Sequence, residues 1–162
     1  MKILLVEDDL LLRKMMTVTL EKKGYQVINC VDGKEACKKF DQENPDILIT
    51  KTLLPFISGL EVIKYAKNKK DSMVAIIISS VGKEKTVEEA FRLGADDYII
   101  TPFDLDHLAI RIEKLLETKS IVIAEKVMNV KMTEHIEKVF EKRMTVRVEK
   151  KLFHKRDMVF FQ

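Results

Sequence analysis

Three consecutive acids, Glu7, Asp8 and Asp9, a lysine at position 51, and the hydroxyls of Ser79, Ser80 and Thr101 are the side chains with chemistry to offer. Each group directly follows a short run of branched apolar residues. A protonated lysine has no lone pair for nucleophilic attack and gives no oxygen ligand to a hard cation. Set against the acids, it competes with a metal for their oxygens. The expectation for Lys51 is therefore an ion pair with these acids. The alternative is a lysine directed to solvent, as most lysines are.

These residues are far apart in the chain, so the elements that carry them must bring them together. Lys2–Val6, Tyr25–Val31, Asp46–Thr50, Val74–Ser79 and Asp97–Thr101 read as strands. Runs of this kind without alternation suit parallel strands covered on both faces. Between them, helical spacing marks Leu10–Lys23, a segment capped by Asp32 and ended at Asn44–Pro45, then Gly59–Asn68 and Lys83–Leu93. Gly24 and Gly94 stand where left-handed caps are needed. Strands alternating with helices predict a doubly wound α/β sheet, with ligands at the carboxyl ends of the strands. That rule places Glu7, Asp8, Asp9, Lys51, Ser79, Ser80 and Thr101 along one edge, with Lys51 opening the loop after the third strand.

A fifth helix starts after Asp104 and carries Leu105, Leu108, Ala109, Ile112, Leu115 and Leu116. With no Gly or Pro after Phe103, it is expected to continue through Ile121, Val122 and Val127, and a further helical face follows at Met132, Ile136, Val139 and Phe140. Val146-Arg147-Val148 alternates and reads as strand-like. The chain ends in the apolar run 158–162, which needs a packing partner.

Composition separates a body, 1–118, from an extension, 119–162. The 162 residues are 46% hydrophobic and 34% charged, enough for one core and a small appendage. The body carries 18 Lys/Arg against 20 Asp/Glu and the extension 11 against 6, so the net +3 hides a basic tail. No apolar run is long enough to span a bilayer and Met1–Val6 is too short for a signal peptide, so a cytoplasmic protein without a membrane partner is expected. Cys30 and Cys37 read as free thiols, and His107, His135 and His154 share no metal-site spacing.

The run from Lys2 to Asp9, the run from Pro45 to Ile49 with Leu54-Pro55 and Gly59 beyond it, and the run from Gly94 to Phe103 together resemble the receiver domain of two-component response regulators, over residues 1 to about 118. The resemblance implies a flavodoxin-like five-stranded sheet of order 2-1-3-4-5. In that family an acidic pair binds magnesium, an aspartate after the third strand accepts a phosphoryl group, and a hydroxyl after the fourth strand and a lysine after the fifth hold it. By position the acidic pair is Glu7 and Asp8, the switch hydroxyl Ser79 and the switch aromatic Tyr98. Lys51 occupies the acceptor position and Thr101 that of the lysine, so Lys51 is expected to pair with Glu7 and Asp8 in a metal-free site without catalytic chemistry, and the magnesium site and aspartyl phosphorylation are expected to be lost. Pro102 matches a position where the peptide bond is usually cis.

The resemblance further implies protein contacts through helix four, strand five and helix five, where Asp97 and Arg111 match positions that commonly pair across a homodimer, or else pair within one chain. Leu108, Ile112, Leu115 and Val122 are expected to form a dimer seam on an extended helix five, interrupted by Lys119. The reading is an atypical, phosphorylation-independent pseudo-receiver and interaction module that is not an enzyme. The alternative is a transcriptional or second-messenger regulator whose basic arm binds DNA, through residues such as Lys142, Arg143 and Arg147, or a cyclic dinucleotide, given the R-x-x-x-R spacing of Arg143 and Arg147. Nucleic acid is the weaker partner, since acids interleave the basic residues.

Overall fold

The structure, a computed structural model, describes the backbone of residues 1–157 and the side chains of residues 1–142. Five strands alternate with five helices: β1 (Lys2–Val6), α1 (Leu10–Lys22), β2 (Gln26–Cys30), α2 (Gly33–Glu43), β3 (Ile47–Lys51), α3 (Gly59–Lys69), β4 (Val74–Ser79), α4 (Glu84–Arg92), β5 (Asp97–Ile100) and α5 (Leu105–Asp157). All strand pairs are parallel, in the order β2-β1-β3-β4-β5. The expected doubly wound sheet is therefore present.

The central strands are apolar on both faces because helices cover both. Leu4, Val6, Leu48, Ala75 and Ile77 point to one side and pack with Ala36 and Phe40 of α2 and Val62, Ile63 and Ala66 of α3. Ile3, Leu5, Ile47, Ile49, Ile76 and Ile78 point to the other and pack with Met16 and Leu20 of α1 and Leu108 and Ile112 of α5. Each such aliphatic side chain contributes about 1.5–3 kcal/mol on full burial. Side-chain caps start the helices: Asp9 for α1, Asp32 for α2, and Ser58 with Glu61 in a reciprocal capping box for α3. By contrast α4 begins at Lys83 without a side-chain cap and fully buries only Ala90.

Three expectations change. Val146-Arg147-Val148 is helical within α5, not strand-like. Helix-forming Met144, Glu149 and Lys150 surround the two valines, and an isolated strand has no ladder to satisfy its backbone. Leu108 and Ile112 are fully buried in the core and Leu115 packs against it, so of the four seam residues only Val122 is exposed. Lys51 is the last residue of β3, paired in register with Ile78, and does not open the loop. The apolar run 158–162 lies outside the described residues.

The chain divides into two compact units, Met1–Thr118 and Lys119–Gln162. Among the described residues no helix is long and apolar enough to cross a membrane.

The turn from β3 into α3 is held by a close backbone approach. A Cβ built on Gly59 would lie 1.9 Å from the Lys51 carbonyl oxygen. Gly59→Ala is expected to destabilise the protein by about 1–3 kcal/mol, as overpacking does, and to move the Lys51 amide resonance; urea unfolding and an NMR shift map would check both.

Candidate functional site

The register of the sheet delivers the site. Val6 lies opposite Thr50, so the next residue of each strand, Glu7 and Lys51, emerges at the same level. Thr50 faces inward, fully buried, with its hydroxyl bonded to the Lys51 carbonyl oxygen at 3.2 Å. Lys51 then turns its side chain over the end of β1. Its Nζ donates to Asp8 Oδ1 at 2.6 Å and lies 3.4 Å from Glu7 Oε1.

The two acids are not equivalent. Glu7 is 2% exposed, and burial pushes its carboxyl above the usual glutamate range, opposed by the Asp9 amide that donates to Oε1 at 3.0 Å and by Lys51. Asp8 is 41% exposed, and the hydrogen bond from Lys51 holds its carboxyl below the usual aspartate range. Lys51, 32% exposed, is in turn raised by its bond to Asp8, so it is an ammonium throughout the physiological range.

Asp9 does not join this pairing. Its Oδ1 accepts the Leu12 amide at 2.7 Å and caps α1, so of the three acids only Glu7 and Asp8 face the Lys51 ammonium. Arg13, which the sequence reading passed over, donates to the carbonyl oxygens of Glu7 and Asp8 and pins the backbone between them. Its position one helical turn beyond Asp9 was the available signal.

An ammonium against both carboxylates is a poor setting for magnesium, which needs near-octahedral oxygen ligands. The residues present do not fit that ion: the third acid is a helix cap, and position 51 supplies a cation where an oxygen ligand is required. Among the described residues no three His, Cys, Asp or Glu side chains are grouped to hold a metal.

Across the edge, Ser79 and Tyr98 both hold Val81. The Val81 amide donates to Ser79 Oγ at 3.0 Å, and the largely buried Tyr98 donates its hydroxyl to the Val81 carbonyl oxygen. No sequence pattern announces Val81, because both contacts use its backbone. Thr101 turns its hydroxyl toward the Ser79 carbonyl oxygen at 3.4 Å and precedes a cis peptide bond to Pro102. Glu7, Asp9, Lys51, Ser79, Ser80 and Thr101 line a cleft of about 360 Å³ whose apolar wall is Leu11, Leu12, Met15 and Ile78.

Asp97 and Arg111 pair within the chain, two guanidinium nitrogens each meeting a carboxylate oxygen. In the loop after β3, Phe56 adopts φ +67° and is 84% exposed, an unusual conformation for a bulky residue. His107 and His135 both belong to α5.

The response regulator receiver domain family matches residues 3–113. The alkaline phosphatase synthesis transcriptional regulatory protein PhoP of Bacillus subtilis is 32% identical over 74% of this chain and 50% of its own length. The transcriptional regulatory protein CrdR of Helicobacter pylori is 37% identical over 75% of this chain and 58% of its own. The chain thus spans about half the length of the curated relatives it matches. Among solved structures, the receiver domain of the Francisella response regulator 1452 aligns with a TM-score of 0.67 and 26% identity, over 72% of this chain and 97% of that one. With its parallel 2-1-3-4-5 sheet and its match to the family over residues 3–113, the chain belongs to the response regulator receiver domain family.

Proposed function

We propose that this receiver domain works without phosphorylation, as a pseudo-receiver whose output is a protein contact rather than a chemical step. One observation carries the reading: the Lys51 ammonium lies 2.6 Å from Asp8 and 3.4 Å from Glu7. The residue at the acceptor position has no carboxylate to attack phosphorus, and it occupies the oxygens that magnesium would use. Thr101 supplies no cation to a phosphoryl group.

The contact face of the reading is α4, β5 and α5. Phe91 on α4 and Ile100 on β5 are half exposed, and α4 is the helix least tied to the core. The Ser79 and Tyr98 bonds to Val81 hold the loop into α4 in one arrangement, which suits a surface that presents itself constitutively. Homodimerisation is part of the proposal, with residues 119–162 as its arm.

A second reading draws support from the relatives whose names make them transcriptional regulators: the basic arm binds DNA or a cyclic dinucleotide and the receiver serves as scaffold. It requires binding to DNA that falls steeply with salt.

Titration with magnesium and then beryllofluoride, followed by amide shifts of Asp8, Lys51, Ser79 and Tyr98, tests the leading reading. The native protein is expected to stay silent and the Lys51→Asp variant to bind magnesium; a native response to beryllofluoride would sink the proposal.

The ion pair also sets a pH signature. Asp8 is depressed, so its contribution to stability is present above the ordinary aspartate value and is lost as pH falls through the depressed one. Lys51 is raised, so its contribution is complete below the ordinary lysine value and is lost only as pH climbs through the higher one. Glu7 has the opposite sign to Asp8: its raised value favours the folded state at low pH and penalises it once the carboxyl ionises. Carboxyl carbon-13 titration is expected to show Asp8 below and Glu7 above their ordinary ranges, and both midpoints should rise in Lys51→Met.

A further inference from the structure

The unit from Lys119 onward exposes ten large apolar residues between Ile121 and Phe140: Ile121, Val122, Ile123, Val127, Met128, Val130, Met132, Ile136, Val139 and Phe140. A helix with that much uncovered apolar surface needs an occupant. Part of it falls into a seven-residue pattern. Val122, Asn129 and Ile136 recur at one helical position, and Glu125, Met132 and Val139 recur three residues later at another. These are the a and d positions of a two-stranded coiled coil.

We propose that this segment pairs with the same segment of a second copy, parallel and in register, with Asn129 set against Asn129. The inference rests on the dimerisation in the reading above and gives it a seam and a direction.

Two features of the seam select a second copy over an unrelated apolar helix. Asn129 buried against apolar side chains would lose its solvent partners, whereas the amide of an identical chain in register both donates and accepts. A single asparagine at an a position is a device that fixes register and limits assembly to two strands. Glu125 at a d position has the same logic. In a parallel pair a d side chain inserts beside the e residue of the facing helix, which here is Lys126, so each copy offers a lysine to the other's glutamate. The seam buried in the receiver core, Leu108 and Ile112, is not needed, since this pattern begins beyond it.

The test uses the full chain. Light scattering after size exclusion is expected to give twice the 18.8 kDa chain mass. Ile136→Cys is expected to form an intermolecular disulfide under mild oxidation, because a residues face their counterparts within bridging distance. Ile123→Cys, exposed on another side of the helix, is expected not to, and the unaltered chain controls for Cys30 and Cys37. Asn129→Leu is expected to raise the mass above that of a dimer, and Ile136→Glu with Val139→Glu to return it to one chain while the receiver keeps its fold. A monomeric native chain overturns the proposal. So does a dimer in which positions 123 and 136 cross-link equally, a dimer that survives the paired glutamates, or a chain that is monomeric in solution and instead binds vesicles of anionic phospholipid. None of these outcomes bears on Lys51, whose reading fails only by a native response to beryllofluoride.

Discussion

Everything at this site follows from the pairing of β1 with β3. Once Val6 lies opposite Thr50, the first polar residue after β1 and the last residue of β3 must share one small volume at the carboxyl end of the sheet. Glu7 is 2% exposed there. A carboxylate so placed is strongly penalised unless a cation or hydrogen-bond donors face it. Lys51 and the Asp9 amide are those partners, and Arg13 fixes the backbone that carries the acids. The Asp9 amide and the ion pair thus offset part of the penalty of burying Glu7 rather than adding a separate stabilising contact.

The same geometry divides the acids by task. Asp9 is the residue at which α1 begins, and helix starts leave amide groups that need an acceptor. Its carboxylate goes to Leu12, so only two acids face Lys51. Across the edge, Ser79 and Tyr98 close on Val81 without involving the charged cluster. The charged half of the edge and the half around Ser79 and Tyr98 are therefore each satisfied by their own hydrogen bonds and ion pairs.

The sheet was legible because its strands are short, branched and apolar, and because Asp32, Gly24, Gly94 and Asn44–Pro45 punctuate the helices. Lys51 and its two partners were legible for the related reason that a parallel sheet sends the ends of its strands to one edge. What could not be read has local causes. Val146 and Val148 alternate like a strand, but helix propagation through the Glu, Lys and Met residues around them prevails. Leu108 and Ile112 fit a coiled-coil spacing, yet the 3.6-residue period of a core-facing helix gives the same short-range pattern, and the core claims them. Phe56 sits at φ +67° in a place where glycine would have signalled the turn. Val81 participates only through its amide and carbonyl, which every residue has.

On the proposed reading, the two departures from the family pattern act together, as a displacement of one positive charge. The pattern sets an acidic pair and an acceptor carboxylate against one lysine after β5, an excess of negative charge that a divalent metal offsets. On the proposed reading, a lysine stands at the end of β3, as Lys51, and Thr101 follows β5. With Asp9 engaged as a cap, two carboxylates face one ammonium, a cluster closer to neutrality without any metal. On that reading, Thr101 beside a carboxylate at position 51 would set three carboxylates together with no lysine at either strand end to meet them. Lys51, where the two acids converge, supplies on that reading the cation that Thr101 does not.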